Sequence, residues 1–262
     1  MAIHFNNLLY TTENGIAKIT FNRPDALNAM NTESLNEFWE ALKKANSDDD
    51  VKCLVLTGAG EKAFVAGADI KEMQGKAPVE AMAYTELGNG ACRYLETLSK
   101  PSVAAVNGIA LGGGTEIAMS CDVRFASENA RFGQPEILLG IIPGWGGSQR
   151  LPRLIGEGRA LEFLMTGEHI TAQRAYDIGL VNRVFPPGEL LERATEFAGK
   201  LAGMPGFAIK MLKTSVYNGM NMDMTSALNV EIQCICQCFS TNDQEEGMTA
   251  FIEKRKPVWV GK

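Results

Sequence analysis

Two short apolar strands, each followed by a glycine-rich segment, constrain the fold of this chain more than any other feature. The strands are predicted over residues 51–57 and 102–106, and both are nearly continuous in apolar residues. Such strands are typical of sheets that are covered on both faces. Helices are predicted after them, from residue 78 and over residues 115–120. This alternation of strand and helix up to about residue 150 predicts an α/β fold with layered sheets.

The start of the chain shows a different pattern. Alternating apolar and polar residues predict a hairpin over residues 8–21, with its turn at residues 13–15. Asn31 or Thr32 is then the expected cap of a first helix, which carries one apolar stripe.

Beyond about residue 170 the pattern becomes mainly helical. Asn242 and Glu245 form a capping-box-like start to the last helix. We assign residues 1–200 to an α/β core and residues 201–262 to a C-terminal helical region that covers the core or forms an interface between subunits. Apart from one short strand over residues 180–185, helices are predicted near residues 188–202, 206–219, 223–240 and 243–255.

Composition argues against several classes of function. The 31 acidic residues exceed the 25 basic ones, and the net charge of −6 repels nucleic acid. No run of about 18 apolar residues offers a membrane span. The first residues lack the pattern of a signal or transit peptide. We therefore expect a soluble, cytoplasmic protein with neither a nucleic-acid nor a membrane partner.

The six cysteines are expected to be reduced and mostly buried, because they lie in apolar segments without disulfide spacing. Cys234, Cys236 and Cys238 alternate along one predicted helix, so they cannot all share a face, and no histidine lies near them. No metal site is therefore predicted there.

Three glycines at residues 112–114 lie between an apolar strand and a helix. Their N–H groups are expected near the positive end of the helix dipole, where a small anion or a developing oxyanion is stabilised. Glu116, one turn into the helix, favours an acid/base site over a phosphate site. The alternative is that these glycines only allow the helix to pack tightly on the strand.

A second carboxylate, Glu136, precedes an apolar stretch and is followed by another glycine-rich segment. Such a glutamate is usually a solvated side chain at a helix start. Two glutamates beside glycine-rich loops instead suggest a facing pair, in which burial and mutual repulsion raise at least one pKa toward neutral.

Three motifs carry a resemblance to a known family. They are AGADIKEM at residues 66–73, ALGGGTEIA at residues 110–118 and FGQPEILLGIIPGWGGSQRL at residues 132–151. In this order they resemble the crotonase, or enoyl-CoA hydratase/isomerase, superfamily, and the likeness extends from the turn at residues 22–24 to residues 251–255. The resemblance implies a crotonase-like core of ββα units.

The resemblance also implies a reaction. Because Glu116 and Glu136 are both present, it points to the hydratase branch, in which the pair holds one water that adds across the 2,3 double bond of a short enoyl-CoA thioester. Glu116 would accept a proton from this water and Glu136 would deliver one to C2. The N–H groups of Ala68 and Gly113 would bind the thioester oxygen, and a side chain at residue 113 would crowd it. No metal or cofactor is implied, since coenzyme A is part of the substrate.

Contacts with coenzyme A are implied as well. Lys71 is placed near the phosphates, with a plain solvated lysine as the alternative. Phe251 and Lys254 are placed at the nucleotide of a neighbouring subunit, in a homotrimer or a homohexamer, with Phe251 as a core residue of the last helix as the alternative. The implied binding residues are Ala66, Gly67, Asp69, Ile70, Lys71, Gly144, Phe251 and Lys254.

Two rival functions remain open. One is a binding protein that keeps the fold without turnover, against which the intact glutamate pair counts. The other is another acyl-CoA lyase or isomerase, or a hydratase of a branched or cyclic enoyl-CoA. The acyl-chain length would be set by residues 73–98, which are expected to form the pocket floor.

Overall fold

The strands of the chain form two sheets in the computed structural model, which describes residues 5–261. The strands are β1 (Leu8–Glu13), β2 (Ile16–Phe21), β3 (Cys53–Gly58), β4 (Ala63–Val65), β5 (Ser102–Val106), β6 (Ile109–Leu111), β7 (Val123–Ser127), β8 (Arg131–Gly133), β9 (Ile170–Thr171) and β10 (Arg183–Phe185). The larger sheet has the order β1-β2-β3-β5-β7-β10 and the smaller one the order β4-β6-β8-β9.

The helices follow these strands and dominate the last third of the chain. They are α1 (Thr32–Ser47), α2 (Ile70–Met73), α3 (Pro78–Thr97), α4 (Gly113–Ser120), α5 (Gly147–Ile155), α6 (Glu157–Thr166), α7 (Ala172–Asp177), α8 (Leu190–Ala202), α9 (Gly206–Gly219), α10 (Met224–Cys238) and α11 (Asn242–Ile252), with 3-10 helices at Pro24–Ala26 and Pro135–Leu139.

The predicted hairpin is confirmed as β1 and β2, which pair antiparallel. Asn14 and Gly15 form its turn with φ values of 50° and 76°, the conformation that hairpins with two-residue turns favour. From β2 onward all neighbours in the larger sheet are parallel. In the smaller sheet only β9 runs antiparallel to its neighbour.

Three successive units build the core. In each, one strand of the larger sheet leads directly into one strand of the smaller sheet and then into helical chain: β3 to β4, β5 to β6 and β7 to β8. This is the ββα organisation that the resemblance implies. It carries the C-terminal ends of β4, β6 and β8 to neighbouring positions, because these three strands are adjacent and parallel.

Burial explains why the central strands are continuously apolar. Every residue of β3 and of β5 is buried. One face of the larger sheet joins the main core, whereas its other face packs on Leu190, Ala194 and Ala198 of α8. The prediction that these strands are covered on both faces is confirmed. Because α8 covers this face of the sheet, it packs with the core. It ends at Ala202, two residues beyond residue 200, where we placed the boundary between the core and the C-terminal region.

The predicted cap of the first helix is confirmed, whereas the predicted start of the last helix is not. Asn31 caps α1 by accepting from the Ser34 N–H, as predicted. The last helix is capped by Thr241, whose side chain accepts from the Gln244 N–H. The predicted start at Asn242 with Glu245 is therefore wrong by one residue, because Asn242 already lies inside the helix.

The C-terminal helices are joined to the core through α9. Its Lys213 and Tyr217 bond the two carboxylate oxygens of Asp122 at 2.7 and 2.8 Å. The next helix, α10, packs on α9 and buries only Cys234, while α11 buries Asp243 and Ala250. The helices predicted near residues 188–202, 206–219, 223–240 and 243–255 are confirmed as α8, α9, α10 and α11.

No helix in the described part of the chain is long and apolar enough to cross a membrane. The expectation of mostly buried thiols is confirmed, since Cys53, Cys92, Cys121 and Cys234 are free and buried while Cys236 is exposed.

Candidate active site

A cavity of about 830 Å³ opens where the smaller sheet, α3 and the 3-10 helix at Pro135–Leu139 meet. Most of its wall is apolar, and the charged groups on it are the two glutamates. Its lining residues are Ala66, Gly67, Ala68, Ile70, Met73, Ala81, Tyr84, Thr85, Leu111, Gly112, Gly113, Glu116, Pro135, Glu136, Leu138, Leu139, Ile141, Ile142, Pro143, Gly144 and Trp145.

The three glycines that precede Glu116 are each required for a different reason. Gly112 has φ +50°, a conformation that L side chains rarely adopt. A Cβ at Gly114 would lie 1.8 Å from the carbonyl oxygen of Val65, so this residue lets α4 pack on β4. A Cβ at Gly113 would lie 2.1 Å from the ring of Trp145. Tight packing is therefore part of their role, and a side chain at residue 113 would meet the ring of Trp145.

Glu116 is held by the backbone at the start of α5. It is only 2% exposed, and its Oε1 accepts from the backbone N–H groups of Trp145 and Gly147 at 2.7 and 2.6 Å. Burial raises the pKa of Glu116 to about 7; the Gly147 hydrogen bond opposes this rise, and the negative charge of Glu136 adds to it. Glu116 can therefore exchange a proton near neutral pH.

Glu136 lies in the 3-10 helix at Pro135–Leu139 and faces the same cavity. Burial raises its pKa to about 7 as well. The buried Gln134 amide lies beside this carboxylate and, with its nitrogen toward Glu136, donates to Oε1 and Oε2 at 2.9 and 3.2 Å. This donation fixes the orientation of the carboxyl group, and the backbone hydrogen bond of Glu136 itself opposes the rise in its pKa.

Ala68 and Gly113 are among the residues on the cavity wall whose backbone N–H has no hydrogen-bond partner among residues 5–261. Ala68 lies between two residues that bond to Met30: the Met30 N–H donates to Gly67, and the Asp69 N–H donates to Met30. Gly113 is the first residue of α4, whose N–H no preceding helical carbonyl can reach. Both residues line the cavity that the two glutamates face.

The loop that carries Ala68 is fixed from outside the cavity. Arg23 forms an ion pair with Asp69 at 3.1 Å, and its guanidinium also donates to the carbonyl of Ala29. The Asp69 side chain caps α2 by accepting from the Lys71 N–H. The turn at residues 22–24, which opened the family resemblance, therefore supports the loop that presents the Ala68 N–H.

A family model described as Enoyl-CoA hydratase/isomerase matches residues 11–262. The chain belongs to this family. A short-chain-enoyl-CoA hydratase of Clostridium acetobutylicum is 50% identical to it, over 97% of both chains. A crotonyl-CoA hydratase of Syntrophomonas wolfei is 46% identical over 98% of this chain and 99% of its own. The crystal structure of an enoyl-CoA hydratase from Bacillus anthracis superposes with a TM-score of 0.95 and 41% identity, over 98% of this chain and 100% of that one.

Eight of the residues assigned from the family resemblance line the cavity, and four do not. Asp69 lies behind the wall in its ion pair with Arg23, and Lys71 is exposed on α2. Phe251 and Lys254 lie at the end of α11, where Phe251 is 85% exposed. The alternative that Phe251 is a core residue is therefore wrong for the isolated chain. On the cavity are Ala66, Gly67, Ala68, Ile70, Gly113, Glu116, Glu136 and Gly144.

Trp145 is the main site residue of this family member that the sequence did not single out as functional. Its ring fills the space above Gly113 and Gly88, and its centroid lies 5.9 Å from that of the Tyr84 ring. Its backbone N–H donates to Glu116. Tyr84 in turn donates to the carbonyl of Met30 at 2.6 Å. The only sequence signal was the position of Trp145 inside a glycine-rich segment.

Proposed function

We propose that this family member hydrates short trans-2-enoyl-CoA thioesters to 3-hydroxyacyl-CoA, and catalyses the reverse dehydration. The observation that carries the proposal is the meeting of a buried carboxyl group, Glu116, and a partly buried one, Glu136, both with a pKa raised to about 7, and two backbone N–H groups without a hydrogen-bond partner in one apolar cavity. The names of the two similar proteins from Clostridium and Syntrophomonas support the short acyl chain.

In the proposed reaction, the thioester carbonyl oxygen binds between the N–H groups of Ala68 and Gly113. Attack of water at C3 shifts the C2–C3 π pair toward C1, so negative charge grows on that oxygen. Both hydrogen bonds then strengthen, which lowers the barrier because the donors are already oriented. The dipole of α4 adds a positive potential at the Gly113 N–H.

The two glutamates divide the proton transfers. Trp145 and Gly147 both donate to Oε1 of Glu116 and stabilise its carboxylate form, and Oε2 is the oxygen available to the water. Glu116 therefore takes the proton from the water as the bond to C3 forms. Glu136 enters protonated, which its burial favours, and gives its proton to C2. Proton exchange between the glutamates and solvent restores the starting state.

The test is hydration of crotonyl-CoA, followed as the loss of the enoyl absorbance, without added metal or nucleotide. We expect Glu136→Gln to lower kcat by ~10² to 10⁴ with an unchanged fold. Glu128→Gln, at an exposed carboxylate, is the matched control and should leave kcat unchanged. Folded wild-type protein that leaves crotonyl-CoA unchanged would refute the proposal, and near-normal turnover of Glu136→Gln would remove Glu136 from the mechanism.

We further infer that the C-terminal helices bury their apolar residues against other copies of the chain, in a trimer or a pair of trimers. On α10 and α11 the support is exposed apolar surface: Leu228, Ile232, Ile235, Phe239, Met248, Phe251 and Ile252 are all about half exposed or more. Light scattering at assay concentration is expected to give a mass of three or six chains. A monomeric mass with full activity would contradict this assembly.

A further inference from the structure

A partly buried ion pair lies on the far side of the segment that holds Glu116. Arg150 of α5 meets Glu96 of α3 through two contacts, Nε to Oε1 at 3.2 Å and Nη2 to Oε2 at 3.3 Å. Their side chains are 13% and 14% exposed. Burial disfavours ionisation of Glu96, but the hydrogen bonds and charge of Arg150, helped by Arg93, outweigh it and hold the pKa of Glu96 below its usual value. Both members of the pair, Arg150 and Glu96, therefore carry their charge at neutral pH.

Arg150 also reaches the backbone next to the catalytic carboxyl. Its Nη1 donates to the carbonyl oxygen of Trp145 at 2.8 Å, while the N–H of the same residue donates to Glu116. Gly146 fits closely over this guanidinium, since a Cβ there would lie 2.0 Å from Nη1. One arginine thus fixes the segment whose two N–H groups set the position of Glu116.

The charged and titratable groups around Glu116 come from three elements. Glu136, in the 3-10 helix at Pro135–Leu139, raises the pKa of Glu116 by its negative charge. Arg150, on α5, lowers it. On α3, the negative charge of Glu116 contributes to the raised pKa of the buried Cys92 thiol, and Glu96 forms the ion pair with Arg150. Arg150 is thus the cation among them that opposes the effect of Glu136, and Glu96 partly neutralises it.

We propose that Arg150, held by Glu96, is a positioning residue that fixes the segment at residues 144–147 and thereby the orientation and ionisation of Glu116. The proposal rests on the hydratase function, because it concerns the base of that reaction. It gives a role to an arginine and a glutamate that do not line the reaction cavity. Gly146 suits this arrangement in two ways, since its φ of +107° is one that L side chains rarely adopt and its missing Cβ leaves room for the guanidinium.

The test compares three variants by the pH profile of kcat/KM for crotonyl-CoA. Its acid limb reports the protonation of the free enzyme's base. Removing the cation in Arg150→Met should move this limb to higher pH, on the order of half a unit, and removing the counter-charge in Glu96→Gln should move it to lower pH by a similar amount. Two shifts of opposite sign are not expected from loss of packing alone.

Arg150→Lys separates charge from geometry. Lysine keeps the charge but lacks the planar fork that reaches Glu96 and Trp145 together. We expect its acid limb to stay near that of the wild type, while kcat falls about tenfold and KM changes less than threefold. Wild-type kcat in Arg150→Lys would refute the orienting role. An unshifted acid limb of the kcat/KM profile in folded Arg150→Met would refute the electrostatic role.

Arg150→Met leaves Glu96 paired only with the more exposed Arg93, at 2.6 Å, so that variant carries a risk of not folding. Glu96→Gln keeps the guanidinium hydrogen-bonded and still tests the sign of the shift. Glu116 is also titrated directly in the free proteins, by infrared difference spectroscopy of the carboxyl band assigned with Glu116→Gln. This measurement needs no turnover. Wild-type protein that does not hydrate crotonyl-CoA would therefore refute the proposed function, whereas an unshifted Glu116 titration in both Glu96→Gln and Arg150→Met would refute the proposed effect of Arg150 on the ionisation of Glu116.

Discussion

Replacing Glu116 by glutamine should destroy activity and stabilise the folded protein above neutral pH. The amide oxygen of the substituted side chain would keep both hydrogen bonds from Trp145 and Gly147, so the packing is preserved. What is removed is a carboxyl group whose pKa rises from its ordinary 4.5 to about 7 because it is buried. A carboxyl group with a raised pKa binds its proton more tightly in the folded state. Its contribution to stability is therefore fully present below pH 4.5 and lost as the pH rises through 7.

The size of the effect follows from those two pKa values. Between pH 5 and pH 8 the wild type should lose on the order of 2–3 kcal/mol of unfolding free energy through Glu116, a loss that Glu116→Gln avoids. Urea unfolding of both proteins at the two pH values, at one protein concentration, measures this double difference. Glu61→Gln, at an exposed loop carboxylate, is the control and should show none of it.

Activity and stability should thus move in opposite directions in the same variant. We expect kcat of Glu116→Gln on crotonyl-CoA to fall by ~10² to 10⁴. An equal stability difference between Glu116→Gln and wild type at pH 5 and at pH 8 would refute the reasoning. It would mean that Glu116 titrates as an ordinary carboxyl group, and that burial does not prepare it for proton transfer at neutral pH.

Two further predictions concern the cavity wall. Ala68→Pro removes one of the free N–H groups and should lower kcat by ~10² or more relative to Ala68→Ser, which keeps it; equal rates in the two folded variants would exclude this donor. Gly113→Ala forces a Cβ against the ring of Trp145, so it should cost about 1–3 kcal/mol of stability in urea unfolding, with a changed tryptophan emission. An unchanged unfolding midpoint would show that Trp145 moves aside freely.

The sequence alone determined the elements with strong periodicity and the pair of acids. The sequence predicted the hairpin, the strands β3 and β5, and the long helices α1, α3 and α9. The hairpin and the helices have a periodic pattern over many residues, and the two strands are continuous apolar runs. Glu116 and Glu136 were found because a carboxylate beside a glycine-rich loop is unusual, and the motif order then placed them in a family. Shorter elements such as β4, β6, β8 and α2 were not predicted, since three or four residues carry too little periodicity.

Tertiary structure decided how those residues act. Only the folded chain shows that Gly113 makes room for Trp145, that Asp69 pairs with Arg23 behind the cavity, and that Arg150 reaches the backbone of Trp145. These contacts join residues far apart in the chain, and no local pattern specifies which side chain meets which backbone group. The same holds for the acidity of Glu116: the sequence supplies the carboxyl group, but its pKa depends on the water that the surrounding elements exclude and on the charges they bring near it.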